Sequence, residues 1–313
     1  MIKLLEFFGG IGAPRSAANN LAWDYKVIDY VEINQKPVTI YNALYDNCFK
    51  TSDITKWDLH ADILVHGSPC QDFSRSGKRW GGEEDKTRSG LLHATTKAIE
   101  KLGAWKPRFV VWENVRGVLD KDMKPAFDRY ISDMRELGYV TSFKLLNAMD
   151  FGIPQNRQRV IAVSHIGKSV FNFDNLETTP APHIREFLEV DVTTEQHFIT
   201  IPSMLRRIEE FATEKSNYRF LDVIDSHCNT ITTRQDRCPN AGIIKMPDGR
   251  YRYLTERECW LLMGYKNDDF DKALAAFPTK EGKRNATLYE LAGNSIVVPM
   301  LEAVFKEIIR MEG

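Results

Sequence analysis

The chain has 313 residues, 43% of them hydrophobic and 27% charged, with 42 Lys and Arg against 43 Asp and Glu. The length exceeds one compact core and predicts a larger and a smaller lobe, the composition excludes a disordered or low-complexity chain, and a formal charge of −1 excludes a globally basic surface, so any nucleic-acid face must be local. No apolar run approaches the ~18 residues of a membrane span, and "MIKLLEFFGG" lacks the length and cleavage site of a signal peptide, so a cytoplasmic protein without a membrane partner is expected.

In chain order, "IKLLEFF" is a short apolar run that breaks at "GGIGAP" and passes into "RSAANNLAW", with Pro14 suited to a first helical turn: strand, glycine turn, helix. "YKVIDYVEI" is a second strand closing on Glu32, "VTIYNALY" a helix, and "ADILVHG" and "PRFVVWENV" two buried strands with helix between. Repeated βα units predict an α/β domain with a doubly wound, mostly parallel sheet. "FDRYISDMRELGY" reads as a helix ending at Gly138, followed by strands "VTSFKLLN" and "RQRVIAVSH". From about residue 168 the alternation stops, and short β-branched stretches with a turn at Pro247-Asp248-Gly249 predict a smaller, irregular or β-rich second domain. "TERECWLLMGY" carries a capping box, Thr255 with Glu258, and the chain closes on a polar loop and an amphipathic helix. The working boundaries are 1–187, 188–260 for the second domain, and 261–313 returning to the first.

Gly9, Gly10 and Gly12 would let backbone approach a ligand, and Glu32 stands 20 residues past Gly12, where an acid binds ribose hydroxyls in a nucleotide-binding βαβ unit. Arg15 occupies the third glycine position, which weakens a pyrophosphate site and leaves open a plain tight turn with a surface Glu. Asp53 is a third acid near a strand end, or a helix cap. Cys70, straight after Pro69, is either a small buried hydrophobe or a reactive thiol. It follows a strand at its carboxyl end, where open α/β sheets hold ligands, and Glu113 ends the next strand in the same way. Residues 71–90, with Arg75, Lys78, Arg79, Lys86 and Arg88, read as a lid touching phosphates or as a solvated loop. Between 229 and 252 stand Arg234, Arg237, Lys245, Arg250 and Arg252 against Asp236 and Asp248, a groove-facing patch or an ordinary exposed loop set. The five cysteines, Cys48, Cys70, Cys228, Cys238 and Cys259, lack a C-x-x-C pair, which argues against disulfides and against a metal site, and His227-Cys228 reads as packing.

"LLEFFGGIGA", "GSPCQDFS", "WENVRGVL", "FGIPQNRQR", "LTERECWLLMGY" and "ELAGNSIVVPM" together resemble the ordered motifs of the cytosine-5 DNA methyltransferases of bacterial or phage type. The resemblance spans almost the whole chain. It implies a Rossmann-like methyltransferase fold with a target-recognition domain, S-adenosylmethionine as cofactor (product S-adenosylhomocysteine) and double-stranded DNA as partner; a monomer is expected, and both a restriction-modification setting with a cognate endonuclease and an orphan or phage enzyme stay open. Carried over by position, Phe8 resembles the aromatic on the adenine and Glu32 the ribose acid. Gly10, Gly12, Asp53, Ile54, Pro69, Asn294 and Ser295 complete the implied cofactor set. Cys70 resembles the nucleophile, Glu113 the acid at the base ring, and Arg157 and Arg159 the two arginines of the Q-x-R-x-R element. Arg157 is expected at the sugar or phosphate beside the base or near the thiolate, or else paired to a carboxylate. Ser76, Lys78 and Arg88 from the lid, with Thr230, Thr232, Arg234 and Arg237, are the implied DNA contacts. Two positions depart from the family pattern: Glu6 stands where Asp is usual and Ala13 where a second Gly is common.

The implied chemistry suits these residue types. C5 of cytosine is a poor nucleophile until a thiolate adds at C6, and a carboxyl at N3 and the exocyclic amine assists that addition. The base must leave the stack first. A tRNA-acting relative with the same core would show a Cys-Phe-Thr stretch, which is not found, and an inactive DNA-binding regulator would have lost Cys70 or Glu113.

Overall fold

Side chains alternating along short apolar strands decide the centre of the molecule. The computed structural model describes residues 1–54, 60–68, 90–209 and 221–312. Six strands form one sheet: β1 (Ile2–Phe7), β2 (Tyr25–Val31), β3 (Ile63–His66), β4 (Phe109–Val115), β5 (Val140–Asn147) and β7 (Gln158–His165), in the order β2-β1-β3-β4-β7-β5. Between β5 and β7 lies the two-residue β6 (Gln155–Asn156), outside this sheet. Leu4, Ile63, Val65, Phe109 and Val111 enter one apolar layer, while Leu5, Leu64, Val110 and Trp112 enter the other, the two-residue period of a strand buried on both faces. Helices α1 (Ala13–Asn20), α2 (Gln35–Tyr45) and the C-terminal helices cover the first face; α3 (Gly90–Lys101) and α4 (Lys124–Glu136) cover the second.

Strands β1 to β4 run parallel, and β7 runs antiparallel to both β4 and β5. That reversal places the start of β7, not its end, beside the carboxyl ends of its neighbours: Arg159 lies opposite Val115 and opposite Leu146. The "RQRVIAVSH" strand was legible in the sequence, but its direction was not.

Gly12 shows why the first turn needs glycine. Its φ is +79°, and a Cβ there would stand 2.6 Å from the Tyr45 ring and 2.7 Å from the Tyr41 ring. Pro14 occupies the first turn of α1, as expected.

The 188–260 segment is largely irregular. It contains α5 (Pro202–Glu209), β8 (Cys228–Asn229), which pairs in parallel with β6, and the antiparallel pair β9 (Ile244–Lys245) and β10 (Tyr251–Arg252). Ile199, Met204, Ile208, Leu221, Ile243 and Tyr253 form a small core of its own, whereas Cys228, Ile231, Ala241 and Leu254 join the main one. Polar contacts anchor its end. Arg252, 2% exposed, makes a two-pronged ion pair with Glu258 at 2.7 and 2.8 Å. Glu258 also closes the capping box with Thr255 that starts α6 (Glu256–Leu261).

Helices α7 (Asn267–Ala276), α8 (Ala286–Asn294) and α9 (Val298–Glu312) end the chain. The 286–312 stretch contains an 18-residue window of mean hydropathy 1.2, long and apolar enough to cross a membrane, but 67% of that window is buried inside the chain, and Phe305 of the same stretch stacks on Trp23 at 4.7 Å. This is the packing of a core helix.

Candidate active site

At the carboxyl edge of the sheet, β1 delivers Phe8 and the glycine turn, and β2 delivers Glu32. The turn is braced from below: the Tyr30 hydroxyl donates to the Gly10 carbonyl at 2.6 Å, and the Gly12 amide donates to the Gly9 carbonyl at 2.9 Å. Glu32, 8% exposed, accepts from the Asn34 amide at 2.8 Å and from the Gly10 amide at 3.4 Å, so its carboxylate is fixed between the turn and the start of α2. The Ser52 amide donates to the Glu32 carbonyl at 2.9 Å, which draws exposed Asp53 and buried Ile54 to the same corner.

Whether these residues fit an adenosine-bearing cofactor can be tested on the turn itself. Phe8, partly buried, adopts the left-handed φ of +53°, which lifts its backbone out of the strand. A Cβ on Gly10 would meet nothing nearer than the Phe8 carbonyl at 4.0 Å, so backbone there faces open space. An aromatic, a fixed carboxylate and an uncovered glycine backbone are the donor set an adenosine ribose requires. Arg15 does not intrude, because its guanidinium lies over the Tyr45 ring at 4.5 Å.

Beneath the turn lies Glu6. It is fully buried, accepts from the Tyr41 hydroxyl at 2.7 Å, and its second oxygen has no partner among the described residues. Burial pushes its pKa up to about 7, against the pull of the Tyr41 hydrogen bond and of Arg15.

Next along the edge, Glu113 projects from β4 two residues before that strand ends, rather than at its end. It pairs with the Arg159 guanidinium at 2.9 Å, and both side chains are only 11% exposed. Burial raises the Glu113 pKa, and Arg159 and then Arg157 oppose that rise. The Glu113 carboxylate also borders the chain that leads to the cysteine: a Cβ on Gly67 would stand 3.7 Å from it. Ser68 is pinned by Trp112 Nε1 at 3.1 Å and by Asn114 Nδ2, which donates to its carbonyl at 3.2 Å. Sequence reasoning missed these two anchors, although Asn114 lies inside the E-N-V element. Pro69, Cys70, Ser76, Lys78 and Arg88 lie outside the described residues.

Arg157 also holds main chain. It is 2% exposed and donates to three main-chain carbonyls: Ile231 at 2.9 Å, Gly293 at 3.0 Å and Ser295 at 2.8 Å. Its terminal nitrogens therefore hold backbone together, and Arg159 is the arginine on the carboxylate. The "NTITTRQ" segment is fastened to the same place. The Ile231 amide donates to Gln155 Oε1 at 3.0 Å, Thr230 Oγ1 donates to the Asn156 carbonyl at 2.9 Å, and Thr232 is half-buried. A Cβ on Gly293 would come within 2.4 Å of the Thr232 and Thr233 backbone, a close approach that only glycine allows. Asn294 is exposed beside this contact, and Ser295 is buried with its hydroxyl bonded to Tyr265 at 2.8 Å.

The expected basic patch is smaller than its residue count. Arg252 is removed from the surface by Glu258, Arg237 pairs with Asp236 at 3.2 Å, and Arg250 with Asp248 at 2.7 Å. Arg234, Arg237 and Lys245 are exposed, and among the described residues Arg234 and Lys245 have no carboxylate partner. Cys48 and Cys238 are exposed free thiols, Cys228 and Cys259 buried ones, and the described residues hold no cluster of metal-ligating side chains.

With this geometry in hand, three comparisons bear on the chain. The profile of the C-5 cytosine-specific DNA methylase family matches residues 2–236 and 183–310. Type II methyltransferase M2.ScrFI of Lactococcus lactis subsp. cremoris is 32% identical over 261 residues, covering 80% of this chain and 67% of its own length. Type II methyltransferase M.AplI of Arthrospira platensis is 28% identical over 296 residues, covering 88% and 82%. Orphan methyltransferase M.SPBetaI of Bacillus phage SPbeta is 24% identical, covering 98% and 97%. Among solved structures, the Entamoeba histolytica methyltransferase EhMeth superposes with TM-score 0.80 at 17% identity, covering 100% of this chain and 99% of that one. S. pombe Dnmt2 methyltransferase superposes with TM-score 0.77 at 20% identity, with both chains fully covered. The structures share the fold, the profile and the bacterial relatives extend the likeness to sequence, and the chain belongs to the C-5 cytosine-specific DNA methylase family.

Proposed function

We propose that the chain is a sequence-specific DNA (cytosine-5)-methyltransferase. The observation that carries this reading is the buried Glu113–Arg159 pair on the sheet edge, beside Gly67 and Ser68, which precede Cys70 in the sequence. A carboxyl whose proton affinity is raised by burial, yet which keeps a guanidinium at hand, is suited to share a proton with N3 and the exocyclic amine of a cytosine as charge develops in the ring. Arg159 then stabilises the carboxylate when that proton moves.

Cys70, two residues beyond Ser68, is assigned the addition at C6. The thiolate forms a bond to C6, the ring electrons move to C5, and after C5 is methylated and loses its proton the thiolate departs and the ring is restored. S-Adenosylmethionine supplies an electrophilic methyl group when bound. Phe8 would cover its adenine, Glu32 its ribose, and Gly10, Gly12, Asp53, Ile54, Pro69, Asn294 and Ser295 would line the rest. The target base must be turned out of a duplex to reach this edge. Residues 188–260 are assigned the recognition of its sequence, with Thr230, Thr232, Arg234 and Arg237 as its DNA contacts and Ser76, Lys78 and Arg88 assigned to DNA as well. The similar proteins include both a type II and an orphan methyltransferase. A monomer acting in the cytoplasm, with or without a cognate endonuclease, completes the reading.

Sequencing of DNA from cells expressing the protein, by a method that distinguishes 5-methylcytosine, tests it. One short sequence context should be marked by the wild type and none by Cys70→Ala. Marks confined to tRNA would contradict the reading.

A further inference from the structure

We propose that Arg157 is a positioning residue that couples the cofactor end of the site to the DNA-facing segment, so that occupancy of one is felt at the other. This rests on the function proposed above. The guanidinium is shared between two parts of the chain distant in sequence. On one side it holds the Ile231 carbonyl, in the segment assigned to DNA; on the other it holds the Gly293 and Ser295 carbonyls, which flank Asn294 in the segment assigned to the cofactor.

Two further contacts stiffen the joint. Gln155 accepts from the Ile231 amide at 3.0 Å and donates to the Leu262 carbonyl at 2.8 Å. Gly293 packs against the Thr232 and Thr233 backbone so closely that a Cβ on it would come within 2.4 Å, which brings the two segments into direct contact. The Ser295 hydroxyl is held on its own side by Tyr265 at 2.8 Å. Bonds from a buried cation to main-chain carbonyls are charge-assisted, and their fork geometry is one that lysine lacks. Two distinct sites biased by one packed element are what allosteric coupling requires, and such couplings run to roughly 5–150-fold.

The first test is hydrogen exchange on the wild-type chain with and without S-adenosylhomocysteine. The amides of 231–233 should slow together with those of 294–296. Slowing at 294–296 alone overturns the joint, whereas a ligand that slows nothing and gives no calorimetric binding overturns the cofactor reading and the joint with it. The second test is the ratio of duplex-DNA Kd values without and with S-adenosylhomocysteine. Wild type should give a ratio of ~5 or more, and Arg157→Lys should bring it to ~1–2 while S-adenosylhomocysteine affinity stays within ~3-fold. A merely structural arginine would weaken both ligands and leave the ratio alone, so a folded Arg157→Lys with the wild-type ratio overturns the proposal, as does a wild-type ratio of one. Should Arg157→Lys not fold, the exchange measurement on the wild type decides.

Discussion

The sheet edge and the 188–260 segment stand side by side but are held in opposite ways. The edge is set by apolar strands whose order and spacing carry Phe8, Glu32, Gly67 and Glu113 to one line, and the polar groups there are passengers on a hydrophobic frame. Among the described residues the 188–260 segment has two-residue strands, and much of its order comes from buried polar side chains: Arg252 holds Glu258 across the start of α6, and Gln155 and Arg157 reach Ile231 over more than seventy residues of chain. Local apolar patterning positions the groups of the edge, whereas the 188–260 segment leans on a few buried polar anchors.

The largest effect follows from removing one such anchor. Arg252→Met leaves the Glu258 carboxylate buried without its cation and should cost about 3–5 kcal/mol of stability, read as a lowered midpoint in thermal or urea unfolding. If the variant unfolds within ~1 kcal/mol of wild type, the segment does not depend on that pair.

A smaller effect belongs to the sheet edge and has a pH signature. The folded-state pKa of Glu6, raised from 4.5 to about 7, means that its contribution to stability is fully present below 4.5 and is lost as pH rises through about 7. Wild type should therefore lose up to about 3 kcal/mol relative to Glu6→Gln between those limits, with unfolding curves at a series of pH values as the readout. Parallel pH profiles for the two proteins would show that the carboxyl is not held neutral.

Next in size, Glu32→Ala should weaken S-adenosylhomocysteine binding by ~10-fold, the value of one charged hydrogen bond, measured by calorimetry. Unchanged affinity would move the ribose away from this carboxylate. The smallest effect is on the DNA face. Replacing Arg234 and Arg237 together by Gln should flatten the salt dependence of DNA binding by ~1–2 units of slope, with Arg237 contributing less because Asp236 already neutralises it. An unaltered slope would place the phosphates elsewhere.

How far the sequence reached follows the same division. The six sheet strands, the glycine turn, Pro14 and the Thr255–Glu258 capping box were legible because each is a local pattern. The direction of β7, the pairing of β6 with β8 and the three carbonyls on Arg157 were not, since each depends on a partner tens of residues away with no periodic mark; nor was the burial of Arg252, whose partner Glu258 is six residues on, across the change from strand to helix. Gly293 carried a weak signal, a glycine inside a helix that costs stability unless close packing needs it. The Q-x-R-x-R element was seen as a pair of arginines with related roles, and the fold separates them, one to Glu113 and one to backbone.

The most direct measurement concerns the thiol that the sheet edge leads to. A duplex carrying 5-fluorocytosine at the target position cannot complete the reaction, because fluorine does not leave as a cation, so the bond from Cys70 to C6 should persist. With S-adenosylmethionine present, the wild-type protein should give a denaturation-resistant protein–DNA band, Glu113→Gln should form it far more slowly, and Cys70→Ala should form none while still binding the duplex. An adduct that survives in Cys70→Ala, or one formed with tRNA and with no DNA, would contradict the assignment.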